Sequence, residues 1–159
     1  MIVACGFDHA GVPLRERLLG AISDAGHEVL DLGTRTTDPI DYPDKALEVG
    51  HAVLSGRASR GVIVCGSGAG VSVAACKIRG IRAATVHDTY TAHQCVEHDD
   101  VNVLCMGGRV IGSEVAAEIA VAFLGASFTG VERHVRRVAK VAEIERTGGE
   151  IESLEGSAQ

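Results

Sequence analysis

Apolar residues along this chain fall into short continuous runs, separated by stretches in which they recur every three or four positions. That alternation predicts strands alternating with helices. The run at 2–7 is apolar almost throughout and ends in Asp8-His9-Ala10-Gly11, after which Pro13 opens a segment with Leu14, Leu18, Leu19 and Ile22 at helical spacing. The same unit recurs as strand 28–32, helix 43–54, strand 61–65, helix 69–78, strand 82–86, helix 89–96, strand 102–106 and helix 113–124. The strand runs are apolar on both faces, as a sheet covered on both sides requires. The class expected is therefore α/β, with a five-stranded open parallel sheet and right-handed crossovers. A further helix at 131–146 has no strand after it, so it is free to pack on a neighbour. Residues 147–159 hold three Glu, two adjacent Gly and no base, and read as a frayed tail after a single domain over 1–146.

Length and composition narrow this picture. At 159 residues there is room for one ordinary domain, not for separate cofactor and substrate halves. The apolar fraction of 46% and charged fraction of 23% are those of a globular chain, and no apolar run approaches the ~20 residues that span a bilayer. No membrane association is expected. A formal charge of −6 and an aromatic content of 3% without Trp argue against nucleic acid as a partner, because both backbone neutralisation and base stacking would lack material. The five cysteines, Cys5, Cys65, Cys76, Cys95 and Cys105, are odd in number and form no C-x-x-C pair, and no signal peptide precedes the first strand. A reducing, cytoplasmic setting follows, with Cys5, Cys76, Cys95 and Cys105 read as small core residues.

In an open parallel sheet, ligands bind beyond the carboxyl ends of the strands. Here those ends deliver Asp8 and His9, then Cys65 with Gly66-Ser67-Gly68-Ala69-Gly70, then His87 and Asp88, then Gly107, Gly108 and Arg109. The glycine turn enters a helix, and its amides can cradle an anion. It matches neither the dinucleotide fingerprint nor a P-loop, so the turn alone leaves an anion site and a plain tight connection open. Cys65 directly precedes those amides, where N–H dipoles would stabilise a thiolate; the alternative is a buried strand-end thiol. Asp8-His9, taken alone, is better read as a capping Asp beside a solvated His. His98 ends the helix that runs back from strand four, so within one chain it should lie at the opposite edge from Cys65. It is either a surface residue or part of a second subunit's pocket. Arg133 and Arg137 share a helix face with His134 adjacent, forming a solvated stripe or a phosphate clamp, the stripe being favoured by spacing alone. His87, Asp88, His93, Cys95 and His98 have irregular spacing for metal ligands, and no metal is expected.

With these residues in place, the sequence closely resembles the type B ribose-5-phosphate isomerases, a family that also holds galactose-6-phosphate and related sugar-phosphate isomerases. The resemblance runs over about 2–146. It is carried by Gly6-Phe7-Asp8-His9-Ala10-Gly11, Asp41-Tyr42-Pro43, the 65–70 turn, Lys77, Gly80-Ile81-Arg82-Ala83, Glu97-His98, Asn102-Val103-Leu104, Gly107-Gly108-Arg109, and Arg133-His134 with Arg137. It implies a Rossmann-like three-layer homodimer, or a dimer of such dimers, with active sites at the subunit interface and neither metal nor organic cofactor. It implies Cys65 as the base that moves a proton between C1 and C2 of an aldose phosphate, with the amides of Gly66, Ser67, Gly68, Ala69 and Gly70 holding the enediolate oxygen. The resemblance further implies that Ser67 relays protons and that His98, with Asp8, opens the furanose ring. By the same resemblance Tyr42 would line the sugar site, and His9, Arg109, Arg133, His134 and Arg137 would bind phosphate. The other branch of the family places a Glu base at the position of Val71 and lacks the Cys at 65, so this chain resembles the Cys branch. Asp99 stands where many relatives have Asn; an ionised carboxylate there would repel an enediolate unless it points away or is protonated. The implied reaction interconverts ribose 5-phosphate and ribulose 5-phosphate, in the pentose phosphate pathway. The alternatives are an isomerase of a tetrose, allose or galactose phosphate, or a non-catalytic phospho-ligand module on the same scaffold.

Overall fold

Five strands pair in register into one all-parallel sheet in the computed structural model, which describes residues 1–150. They are β1 (Ile2–Phe7), β2 (Glu28–Asp31), β3 (Arg60–Cys65), β4 (Ala83–Thr85) and β5 (Val103–Gly107), in the order β2-β1-β3-β5-β4. The helices are α1 (Val12–Asp24), α2 (Tyr42–Leu54), α3 (Ala69–Ala75), α4 (Thr89–Asp99), α5 (Ser113–Gly125) and α6 (Glu132–Thr147). Strand order and handedness together assign the helices to faces. From β1 the chain steps one way to β2, reverses to β3 and on to β4, then reverses again to β5, so right-handed crossovers put α1 and α4 on one face and α2 and α3 on the other. The core obeys this. Val3, Cys5, Phe7, Val62, Val64, Leu104 and Met106 pack against α1, α4 and α5, while Ala4, Ile63, Cys65, Val103 and Cys105 pack against α2 and α3. The result is the expected three-layer α/β fold.

Element limits shift where side-chain pattern and hydrogen bonding part company. The helix expected over 69–78 ends at Ala75, because Lys77 and Ile78 donate to Ala74 and Ala75, three residues back, and Gly80 then turns left-handed at φ +87°. Conversely, α4 continues beyond Val96 to Asp99, closed by Asp100 at φ 51°, so the polar Glu97-His98-Asp99 forms its last turn. The strand expected over 82–86 shrinks to Ala83–Thr85, since β4 is an edge strand with only β5 to pair with. Asp88 caps α4 by accepting from Thr91 N–H at 2.7 Å, which holds its carboxyl below the usual range.

The described chain forms two compact units, Met1–Phe128 with the sheet, and a second unit from Thr129 onward. The second holds α6, an amphipathic helix closed by Gly148 at φ +67°, with Val135, Val141 and Ile144 about half exposed. Of the expected tail, Thr147 belongs to α6, and 151–159 lie outside the described residues.

Candidate active site

The order β2-β1-β3 makes the connections leave β1 and β3 in opposite directions, which opens a crevice at their carboxyl ends. Two turns meet there. After β1, Asp8 donates its amide to the Val64 carbonyl at 3.1 Å and folds the next turn by accepting Ala10 N–H at 2.8 Å and Gly11 N–H at 3.0 Å on Oδ1. Asp8 is only 4% exposed. Gly11 is required by proximity, since a Cβ there would fall 2.4 Å from the Val64 oxygen.

After β3, Gly68 adopts φ +83°, a conformation that L side chains rarely take, and donates its N–H to Cys65 Sγ at 3.1 Å. The donor stabilises charge on sulfur where the strand ends. Burial pushes Cys5 up to about 12 and Cys95 up to about 11, and raises Cys105 as well. These three are core residues as expected. Cys76 is not: it follows the last buried residue of α3, is exposed, and donates from Sγ to the Ala83 carbonyl at 3.3 Å.

A cleft of about 400 Å³ opens at this edge, lined by Asp8, Tyr42, Cys65, Gly66, Ser67, Gly70, Arg109 and Val110. Seven of these are among the residues singled out from sequence; Val110 is the addition. Its signal was weak, an apolar residue following Gly107-Gly108-Arg109, yet its Cγ2 would lie 2.7 Å from a Cβ on Gly107. Tyr42, the first residue of α2, lays its ring against Gly70, where a Cβ would come within 2.9 Å of ring carbons. Of the turn amides, Gly68 faces sulfur and Ala69 faces Ser67 Oγ at 3.3 Å. The β5 turn is tied to the β3 turn by Gly108 N–H to Cys65 O at 2.7 Å and Arg109 N–H to Gly66 O at 3.1 Å.

Other singled-out residues sit elsewhere. His9 is half-buried beside the turn and accepts Ile40 N–H on Nδ1 at 3.3 Å. His98 and Asp99 end α4, whose eleven residues carry the chain about 16 Å from the carboxyl edge back toward the start of β5. His98 is not among the residues lining the cleft. In the second unit, Arg133 and Arg137 are exposed and His134 is 2% exposed. Arg133 Nε donates to His134 Nε2 at 3.0 Å, so the proton lies on Nδ1, 2.8 Å from Thr129 Oγ1. His134 thus uses both ring nitrogens within its own unit and holds the Arg133 guanidinium. Among the described residues, no three of His, Cys, Asp or Glu are placed to hold a metal ion, and no helix is long and apolar enough to cross a membrane.

Comparison with known proteins follows the same contour. The sequence model of one family, Ribose/Galactose Isomerase, matches residues 3–141. The ribose-5-phosphate isomerase B of Escherichia coli (strain K12) is 40% identical over 144 residues, 91% of this chain and 96% of that protein. A D-erythrulose-4-phosphate isomerase of Pectobacterium atrosepticum is 39% identical over 130 residues, 80% of this chain and 85% of the relative. The solved structure of Clostridium thermocellum ribose-5-phosphate isomerase B superposes with a TM-score of 0.89 at 42% identity, covering 93% of this chain and 99% of that one.

Proposed function

The chain belongs to the ribose/galactose isomerase family and is a sugar-phosphate isomerase, and from that premise we propose that it interconverts ribose 5-phosphate and ribulose 5-phosphate through an enediolate, with Cys65 as the base. The observation that carries the reading is the Cys65 sulfur, backed by the Gly68 N–H at 3.1 Å and opening on the cleft that Asp8, Tyr42 and Arg109 also line. The Cys65 thiolate takes the proton from C2 of the open-chain aldose; the C–H electron pair becomes the C1–C2 double bond and the aldehyde oxygen becomes the oxyanion. Amides of Gly66, Ser67 and Gly70, whose residues line the cleft, hold that oxygen, while the Gly68 amide serves the sulfur. Ser67 relays the O2 proton to O1, and the thiol returns its proton to C1, which leaves the ketone at C2. Arg109, which lines the cleft, holds the phosphate and so orients the reacting carbons, with His9 beside the β1 turn as a further phosphate ligand. The non-catalytic alternative falls with membership of an isomerase family.

Ring opening takes the proton from the O1 hydroxyl and delivers one to the ring oxygen, work for His98 of a second copy together with Asp8. Within one chain His98 stands at the far end of α4 from Cys65, so a homodimer in which each cleft receives His98 of the partner subunit reconciles topology with chemistry. The half-exposed Val135, Val141 and Ile144 of α6 offer apolar surface for such an assembly. Arg133 and Arg137, exposed on α6, are the further phosphate-binding candidates. No cofactor is needed for proton transfer of this kind, and the five free thiols suit a reducing cytoplasm.

Cys65→Ala tests the reading. Turnover of ribose 5-phosphate should fall by about 10²–10⁴, the range for loss of a general base, while calorimetric affinity for the sugar phosphate stays within threefold. A fully active variant removes Cys65 from the chemistry. The relative that acts on a four-carbon sugar phosphate, together with Asp99, supports a second reading in which a tetrose phosphate is preferred. The ratio of kcat/KM across tetrose, pentose and hexose phosphates decides it.

A further inference from the structure

We infer that His87 is a positioning residue for this isomerisation, acting through the β5 turn that carries Arg109; the inference rests on the function proposed above. The edge strand β4 continues through Val86 into His87 and the Asp88 cap of α4. From this segment two side chains cross to the turns that line the cleft. Thr85 Oγ1 donates to the Gly68 carbonyl at 3.0 Å, and His87 Nε2 accepts Gly107 N–H at 2.9 Å. A backbone amide can only donate, so Nε2 is the unprotonated nitrogen and the neutral ring carries its proton on Nδ1.

Gly107 is the last residue of β5, and its neighbours are bound on the other side. Gly108 and Arg109 donate to the carbonyls of Cys65 and Gly66, so three consecutive amides of the turn are tied down, one by His87 and two by the β3 turn. The packing leaves no slack: a Cβ on Gly107 would fall 2.7 Å from the Ser67 carbonyl carbon. His87 therefore sets the point from which the Arg109 side chain leaves the backbone relative to Cys65. A cation that must hold a phosphate while C2 faces the sulfur tolerates about 0.5 Å of error, and a 1 Å misplacement costs about 10²-fold in rate.

Three substitutions separate this role from a merely structural one. His87→Gln carries an amide oxygen at the reach of Nε2 and keeps the acceptor, His87→Asn stops short of Gly107, and His87→Leu fills the space without any acceptor. With the full chain and ribose 5-phosphate, Leu and Asn should raise KM about tenfold with a smaller loss in kcat, and Gln should restore KM to within threefold. In an Arg109→Ala background the KM effect of His87→Asn should shrink below twofold, because the two residues act on one contact. The inference is overturned if Gln is as damaging as Asn, if Asn leaves KM unchanged, or if the effect of Asn persists without Arg109. A folded wild-type chain that does not turn over ribose 5-phosphate overturns the functional reading itself, and this inference with it.

Discussion

Gly68 has to satisfy two demands that no other residue type meets together. Its backbone takes φ +83° while its amide donates to Cys65 Sγ, and the space beside it is filled, with an ideal Cβ 2.9 Å from Thr85 Cγ2 and 3.0 Å from the Met106 carbonyl carbon. Gly68→Ala should cost about 1–3 kcal/mol of stability in urea unfolding, the usual toll of a strained left-handed residue, and should lower kcat at least tenfold because the added Cβ displaces the turn that carries the donor. Gly20, on α1 with nothing within 4 Å, is the control. There Ala should be neutral or stabilise by about 0.5–1 kcal/mol, because glycine in a helix interior loses more entropy on folding. At this scale the glycines and the polar strand ends were visible in the sequence, since each follows directly on an apolar run. The amide-to-sulfur hydrogen bond was not, because it depends on the backbone dihedrals through the 65–67 turn, which no residue pattern marks. Cys76 shows the same limit from the other side: its composition class suggested a core residue, and a position one step past the last buried helical residue exposed it.

Among the elements, α5 shows how a helix end is satisfied from a distance. Its last turn ends at Gly125 and carries no basic residue, and the carbonyls of Phe123 and Ala126 are met instead by Arg60, at the start of β3, at 2.5 and 2.8 Å. The guanidinium also lies 5.2 Å from the centre of the Phe123 ring, and burial pulls it below the usual arginine range. Arg60→Leu leaves those carbonyls without their donor, so about 2–3 kcal/mol should be lost in urea unfolding. Arg60 stands at the opposite end of β3 from Cys65, so kcat of the folded enzyme should stay within twofold of wild type. Helix limits were legible wherever apolar periodicity and hydrogen bonding ended together, as in α1 and α2. At α4 the apolar periodicity stops at Val96, and the polar last turn, where His98 was placed, is closed by Asp100 in a left-handed conformation and not by any apolar side chain. That turn carries His98.

For the molecule as a whole, the decisive feature is that Cys65 and His98 sit at opposite ends of the layer architecture. Mixing two inactive variants turns this into a measurement. In a heterodimer of Cys65→Ala and His98→Ala chains, a shared site yields one cleft with both defects and one with neither, so random pairing should recover about a quarter of wild-type activity. Sites built within single chains would recover none, and the proposed dimer would fail. The active assembly should run at twice the 16.5 kDa of the chain in sedimentation.

Strand and helix identities, the glycine turn and the candidate base were all readable along the chain, because each is set by residues within about ten positions of one another. The apolar runs said that both faces of the sheet are covered, and the polar residues that follow them marked the edge where chemistry sits. Folding in three dimensions chose the rest. The order β2-β1-β3-β5-β4 sent β4 to the edge, placed the crevice between β1 and β3, and brought His87 to Gly107 across twenty positions of sequence. Those outcomes depend on how crossovers stack and which backbone groups remain to be paired once the strands are side by side, and residue order carries no local mark of either.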